Sequence, residues 1–428
     1  MGIKVSVIMP SLNVVDYIEE SVKSVVNQTL QNIEVLCIDA GSTDGTWEKL
    51  QEISILDKRI KLIKSNIRSY GYQVNLGINL SSGEYISVVE TDDYINENML
   101  EVLYDYGNDN HCDIVKCDYN AYYTQENGKR VFLKRVSCDN EEIYNQIIKP
   151  IDYIELANSD WYLWTGIYKK SFLKENDIYL SETKGAAFQD IGFLHKTLVN
   201  AQRCAYLKGN YYNYCIDRES ASSNVGKGLL YSYQEFKKLL DEEWNREELS
   251  FLYVRMSKSV VSCMKNLKRK NIDDNSILIL NWFREHIVKA FDNGLLCEEK
   301  IQKYVWNTLQ YLLKSVNEFI NKTFIREKNI ENLLKNRNEY KIIIFGCGNI
   351  GYETFRWLKQ NDYNVFAFMD NNPNLWGTML NGHPILNPIV ANEIIHGKFV
   401  IANEVYGKNI KKQLRDMGIK EECICCFL

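Results

Sequence analysis

Three carboxylates fall within four residues at Glu90-Thr91-Asp92-Asp93, directly after the alternating run Tyr85 to Val89. That run reads as a buried strand. Acids at its mouth have no packing use, because each buried charge needs a partner or water. Such a cluster suits a hard divalent cation held through oxygen, with substrate phosphates and water completing the shell. The plainer reading is an acidic turn that caps the helix expected over 96–106. Four more clusters stand out. Pro10-Ser11-Leu12-Asn13 ends the first apolar run, and Asp39-Ala40-Gly41-Ser42-Thr43-Asp44-Gly45-Thr46 ends the second. Arg68 to Gly77 holds a cation suited to phosphate, a glycine that allows close approach (Gly71), and Asn75 at or near the next helix. Lastly, Asp190 stands between Phe188 and Phe193, either as a helix cap or as an acid with chemistry to do.

Regular elements must carry these clusters. Strands are expected at 3–9, 34–38 and 60–64, with helices at 17–28 and 47–55 between them. Strand, helix, strand, helix, strand is the pattern of a parallel α/β sheet, whose ligands bind beyond the carboxyl ends of the strands. Asn13, Asp39 and the acids after Val89 all stand at such ends. A further strand at 113–118 leads to a hairpin signal at Glu126-Asn127-Gly128-Lys129. The ring-dense Asp160 to Tyr168 contains Trp161 and Trp164, which either stack on a sugar ring or pack in the core.

A chain of 428 residues calls for two or three domains. A net charge of −5 argues against nucleic acid as a partner. The twelve cysteines are scattered apart from Cys423, Cys425 and Cys426, which fits free thiols in a reducing compartment. No signal peptide and no bilayer-length apolar run is read. The expected location is cytoplasmic, with peripheral contact at the inner face of the membrane and homo-oligomer formation left open.

In order and spacing, Val5-Ser6-Val7-Ile8-Met9-Pro10-Ser11-Leu12-Asn13, Asn27-Gln28-Thr29-Leu30, Asp39 to Thr46, and Gly83-Glu84-Tyr85 through Asp93 resemble the family 2 glycosyltransferases over roughly residues 3–225. The resemblance implies a GT-A fold and inverting transfer from a nucleotide-diphosphate sugar, a UDP-sugar first among them. Pro10, Ser11, Asn13 and Asp39 would then line the nucleotide pocket. Glu90-Thr91-Asp92 would be this chain's version of the DxD motif, with Asp92 on Mn²⁺ or Mg²⁺. Asp190 would be the catalytic base, although Gln189 replaces the Glu more usual before it. By the same resemblance the later half supplies the acceptor pocket, with Trp161 and Trp164 as candidates, and Arg218 closes over the diphosphate. Ala40 and Leu12 depart from the common pattern and leave the base specificity open, and Glu90, longer by a methylene than the usual Asp, would contact the ribose rather than the metal. A glycan, a lipid-linked sugar and a protein side chain all stand open as acceptors, and surface polysaccharide assembly is the expected setting.

Residues 226–338 shift to Leu, Lys, Glu, Asn and Ile at helical spacing, as in Ile301, Val305, Leu309, Leu312 and Val316, and three to five packed helices are expected. At Lys341 the pattern resets to strand, then Gly346-Cys347-Gly348-Asn349-Ile350-Gly351, helix, and a strand ending in Asp370. This glycine spacing, with an acid about twenty residues on, marks a Rossmann-like turn in which Gly346, Gly348, Gly351 and Asp370 would hold a nucleotide. The module resembles small nucleotide-binding domains found beside sugar-modifying enzymes. The expected domains are therefore 1–225 (GT-A), 226–338 (helical) and 339–428 (Rossmann-like). Metal-dependent glycosyl transfer is the leading function. A non-catalytic sugar-nucleotide-binding assembly partner is the second reading. A sugar nucleotidyltransferase is the third, disfavoured because no Gly-rich basic loop follows the first strand.

Overall fold

The computed structural model describes residues 2–124, 128–216, 227–265, 267, 269–334, 340–403 and 406–427. Two compact units result: 1–123 with 132–319, and 124–131 with 320–428.

In the first unit the elements run β1 (Val5–Ser11), α1 (Ile18–Val26), β2 (Ile33–Asp39), α2 (Thr46–Leu56), β3 (Ile60–Lys64), α3 (Tyr70–Leu80), β4 (Tyr85–Val88), β5 (Tyr94–Ile95), α4 (Met99–Asp109), β6 (Ile114–Thr124), β7 (Arg130–Arg135), β8 (Ile147–Ile148), α5 (Glu155–Ser159), β9 (Gly166–Lys169), α6 (Lys170–Glu175), α7 (Asp190–Asn200) and β10 (Cys204–Cys215). Then come α8 (Gly228–Leu240), α9 (Arg246–Lys265), α10 (Asp274–Asp292), α11 (Lys303–Lys314) and α12 (Val316–Thr323), the last crossing the boundary. Strand order is β3-β2-β1-β4-β9-β6-β10-β5, with β7 beside β6 and β8 beside β10. The first four strands are parallel. Their order reverses at β1, which lies between β2 and β4, and this opens a crevice at the carboxyl ends of β1 and β4.

β1 runs two residues past the expected end and includes Pro10, which pairs with Ile38 of β2. The missing proline N–H is tolerated because the β4 pairing has already stopped at Ile8 and Val88. β9 lies antiparallel between β4 and β6. Sequence reasoning did not find it: these residues lie at the end of the ring-dense run from Asp160, which was read for its aromatic side chains. The hairpin residues Glu126 and Asn127, like Arg218, lie outside the described residues.

Val5, Val7, Met9, Val35, Tyr85 and Leu103 are among the fully buried residues of the main core. In the helical segment, α9 packs against α5, α7, α8, α10 and α11. It is buried nearly all round, from Phe251 and Leu252 through Val260, Val261 and Met264. The helices up to Phe319 thus share one compact unit with the sheet.

The second unit adds α13 (Ile325–Leu333), β11 (Lys341–Phe345), α14 (Asn349–Gln360), β12 (Val365–Met369), β13 (Met379–Leu380), β14 (His383–Leu386), β15 (Gly397–Ile401), α15 (Gly407–Asp416) and β16 (Ile424–Cys426). Its sheet runs β13-β14-β12-β11-β15-β16, parallel except for β13. Ile343, Phe345, Met369, Phe399 and Ile401 form its core. Gly346 has φ +118°, and a Cβ on Gly351 would stand 2.0 Å from the Gly346 carbonyl oxygen, so the turn and helix meet backbone to backbone. The Asp370 carboxylate is engaged by its neighbouring backbone. One oxygen accepts the Cys347 N–H (2.9 Å) and the other the Asn372 N–H (2.8 Å), which ties the end of β12 to the glycine turn.

Candidate active site

A cavity of about 1190 Å³ opens at the β1/β4 crevice. Pro10 to Val14, Arg68 to Tyr70 and Glu90 to Asp92 line it, together with Tyr119, Trp161 to Trp164, Tyr214 and Lys184 to Ile191. Lys258, Ser259, Ser262 and Cys263 of α9 reach the same space. Asp92 and Asp190, separated by almost a hundred residues, therefore face one cavity.

Hydrogen bonds between loops set the rim at the ends of β1 and β2. Asn13 takes a left-handed backbone (φ 56°), gives its N–H to the Ser42 hydroxyl (2.9 Å) and accepts from the Thr43 N–H (2.9 Å). Asp44 accepts from Val15 N–H and Thr46 N–H, both at 3.0 Å. The acid and hydroxyl run after β2 thus serves to lock the β1 loop in place, and only its Ala40 lines the cavity. Asp39, expected at the nucleotide, is buried and accepts from the N–H groups of Gly41 and Ser42 (3.0 Å each), closing its own turn. Asn75 is likewise a clamp: its amide holds Leu180 in both directions (3.0 Å each) and gives a further bond to Glu182. Arg68 is exposed at the rim, 3.2 Å from the Gly41 carbonyl oxygen.

The three acids after β4 have distinct environments. Asp93 is buried, accepts from the Tyr212 hydroxyl (3.0 Å) and the Cys215 N–H (2.8 Å), and is held well above the usual carboxylate range by burial. Tyr212 also accepts the Glu90 N–H at 3.0 Å, so one phenol pins both sides of the turn. Glu90 receives the Tyr70 hydroxyl, and burial together with the charges of Asp92 and Asp190 pushes its carboxyl up to about 8. Thr91 donates to the Pro10 carbonyl oxygen (2.9 Å), fastening β4's end to β1's. Among the described residues, no group of three or more His, Cys, Asp and Glu side chains is placed to hold a metal ion. Asp92 lines the cavity with Asp93 already engaged behind it, so a cation here would rest on one carboxylate and take its other ligands from phosphates and water. That arrangement fits Mg²⁺ or Mn²⁺ arriving with a diphosphate.

Asp190, which lines the same cavity, opens α7. Burial pushes its carboxyl up to about 6, while its own main-chain amide and the Arg255 charge oppose the rise. A group at that value is ionised at neutral pH and basic enough to take a proton. The loop before it is strapped to the start of α3 and the residues leading into it. Tyr70 N–H bonds to Gly185 O (2.8 Å), Gly185 N–H to Arg68 O (3.0 Å), and Gly71 N–H to the Gln189 side-chain oxygen (2.7 Å). A Cβ on Gly71 would lie 2.0 Å from Ser181 O, which makes glycine obligatory at this crossing. Phe188 takes a left-handed backbone (φ 66°), a costly conformation for a bulky residue and one that accumulates where a site is strained.

The aromatic wall is built around Trp164, which is buried, stacks on Tyr212 (4.3 Å) and Tyr214 (5.2 Å), and meets Tyr162 (4.8 Å) and Tyr119 (5.1 Å). Core packing accounts for most of its surface. Trp161 is less buried, and its ring nitrogen donates to Asn158 O (2.9 Å). Sequence reasoning missed Tyr70, Tyr212 and Lys258 as parts of the site. Only Tyr70 gave a sign, through its place beside Arg68.

Residues 6–167 match the model of glycosyl transferase family 2, fewer than half of the chain, and residues 338–425 match the C2185-like N-terminal family. Glycosyltransferase GlyG of Streptococcus pneumoniae serotype 4 is 28% identical over 217 residues, 49% of this chain and 70% of that protein. EpsJ of Bacillus subtilis, an uncharacterized glycosyltransferase, is 26% identical over 51% of this chain and 62% of its own length. The structure of S. aureus TarS 1–349 in complex with UDP-GlcNAc superposes with a TM-score of 0.57 at 19% identity, covering 76% of this chain and 91% of that one, a likeness of fold. The repeated matches support glycosyltransferase activity, and so an enzyme. No helix among the described residues is long and apolar enough to cross a membrane.

Proposed function

We propose that this chain transfers a sugar from a nucleotide-diphosphate donor to an acceptor hydroxyl in one inverting displacement on a GT-A fold. The observation that carries this reading is the meeting of Asp92 and Asp190 in one cavity at the crevice between β1 and β4. Pro10 to Asn13 and Arg68 would seat the nucleotide and its phosphates. Asp92 would hold a Mn²⁺ or Mg²⁺ ion, which when bound neutralises charge on the departing diphosphate. Asp190, ionised and on the α7 side, takes the acceptor proton as that oxygen attacks the anomeric carbon from the face opposite the diphosphate. The strapped loops hold the two carboxylates in fixed register, so little reorganisation is needed during the reaction. Trp161 is the better placed of the two tryptophans to meet an acceptor, because Trp164 is consumed by packing.

The test is an assay of nucleoside diphosphate release from a panel of nucleotide sugars with Mn²⁺ or Mg²⁺. The TarS structure holds UDP-GlcNAc, so uridine donors come first. One donor should turn over, and EDTA or Asp92→Asn should stop it. Full turnover in EDTA would remove the role given to Asp92. Donor binding without any hydrolysis or transfer would favour the assembly-partner reading.

A further inference from the structure

Arg255 is the largest fully buried side chain in the first unit, and its setting is unusual. It lies in α9, beyond the stretch that matches the family model. One nitrogen donates to the Asp160 carbonyl oxygen at 2.8 Å. The other two, Nε and Nη2, have no hydrogen-bond partner among the described residues. No carboxylate among the described residues lies within ion-pair distance of it. The nearby Asp160 carboxylate is already taken by Lys116 and by the Tyr206 hydroxyl. A buried cation without its own ion pair is expensive, and an apolar side chain there would pack at less cost. What the guanidinium does reach lines the cavity: its centre sits 4.3 Å from the centroid of the Trp161 ring, a cation–π contact.

We infer that Arg255 is a positioning residue, carried by the helical segment, that holds Trp161 as the acceptor-side wall and sets the charge environment of Asp190. The inference rests on the base role proposed for Asp190. Groups acting on that carboxylate come from every element around it: Arg255 of α9, Lys116 of β6 and Glu235 of α8, with Glu90 after β4, Tyr70 of α3 and Tyr168 of β9 in the same field. Arg255 is the first of the charges that favour the ionised form. Lys116 lies behind Asp160, and its charge is largely answered there. Removing Arg255 therefore makes Asp190 harder to ionise and lets the Trp161 ring move.

The experiment compares Arg255→Met and Arg255→Lys in the full chain. Arg255→Met is expected to keep its far-UV circular dichroism and its donor Kd within about twofold, while the acid limb of the kcat–pH profile moves to higher pH. Its loss of kcat should then be at least about threefold greater near pH 6 than near pH 8, with acceptor KM raised. Arg255→Lys, which keeps the charge, should return the acid limb to its wild-type position. An unmoved acid limb in Arg255→Met, or a Lys variant no different from it, overturns the inference. If Arg255→Met does not fold, Arg255→Gln takes its place in the comparison, with the same outcomes. Turnover retained by Asp190→Asn would sink the underlying reading instead. An inactive Asp190→Asn beside an unmoved acid limb sinks only the role of Arg255.

Discussion

Replacing Asp190 by Asn removes a charge while keeping the side chain's shape, and the structure gives opposite signs for its effects on activity and stability. Without a base the attacking hydroxyl keeps its proton, and loss of such a group lowers kcat by about 10²–10⁴-fold. Donor affinity should hardly change, since the donor rim is formed by other loops. Stability should move the other way. Burial raises the Asp190 carboxyl from 3.8 to about 6. At about 1.4 kcal/mol per unit, keeping it charged in the fold costs at most about 3 kcal/mol. Solvent in the open cavity screens part of that, which leaves about 1–3 kcal/mol. The sign follows from linkage: a group whose folded value lies above its unfolded one favours the fold when protonated, and that advantage is lost as pH rises through about 6. Asp190→Asn should therefore be more resistant to urea than the natural chain near pH 8, with the gap closing below about pH 4. Product release measured on the same samples gives the activity arm. An inactive variant that is also less stable at pH 8 would show that Asp190 serves the fold, and an active one that it is not the base.

Three further substitutions test the framework. Gln189→Ala strips the Gly71 N–H of its partner inside the protein and should lower stability by about 1–3 kcal/mol in urea melts; a change below a few tenths would mean the strap is slack. Lys116→Met leaves the Asp160 carboxylate buried with Tyr206 alone and should cost about 3–5 kcal/mol, whereas the double change with Asp160→Leu should recover much of it; additive losses would contradict a coupled pair. Gly71→Ala forces α3 away from Ser181 and should destabilise by about 1–3 kcal/mol while also slowing turnover, because that crossing carries the base loop; normal kcat in a folded Gly71→Ala chain would uncouple the two.

The parallel half of the sheet was legible because β1 and β2 are seven-residue apolar runs and the strands alternate in the chain with helical segments. The carboxylate cluster was legible because acids after a buried strand conflict with packing. What could not be read was how each acid is used. Asp39, Asp92 and Asp93 look alike in sequence, yet Asp39 closes a turn, Asp93 anchors to Tyr212 across 119 residues, and Asp92 alone of the three lines the cavity. Asn75 matched a donor contact in type and place but clamps Leu180, a partner 105 residues away. Asp370 matched a ribose-binding acid in spacing and instead bonds the glycine turn beside it. Arg255 was invisible, because a lone arginine in a helical segment ordinarily marks a solvated face. Burial and long-range pairing decide such cases, and neither has a local signature.

The backbone bridge between Ser69 and Gly185 has a consequence for anyone who would recombine this chain with its relatives. The strip proposed to meet the nucleotide and the strip proposed to bear the base are joined through Gly185, which bonds by its N–H to Arg68 O and by its carbonyl oxygen to Tyr70 N–H. A chimera that imports a new donor preference through the 68–71 turn alone would inherit a misfitted partner at 181–190. Exchange has to move both strips as a cassette, and natural variation at one should be echoed at the other.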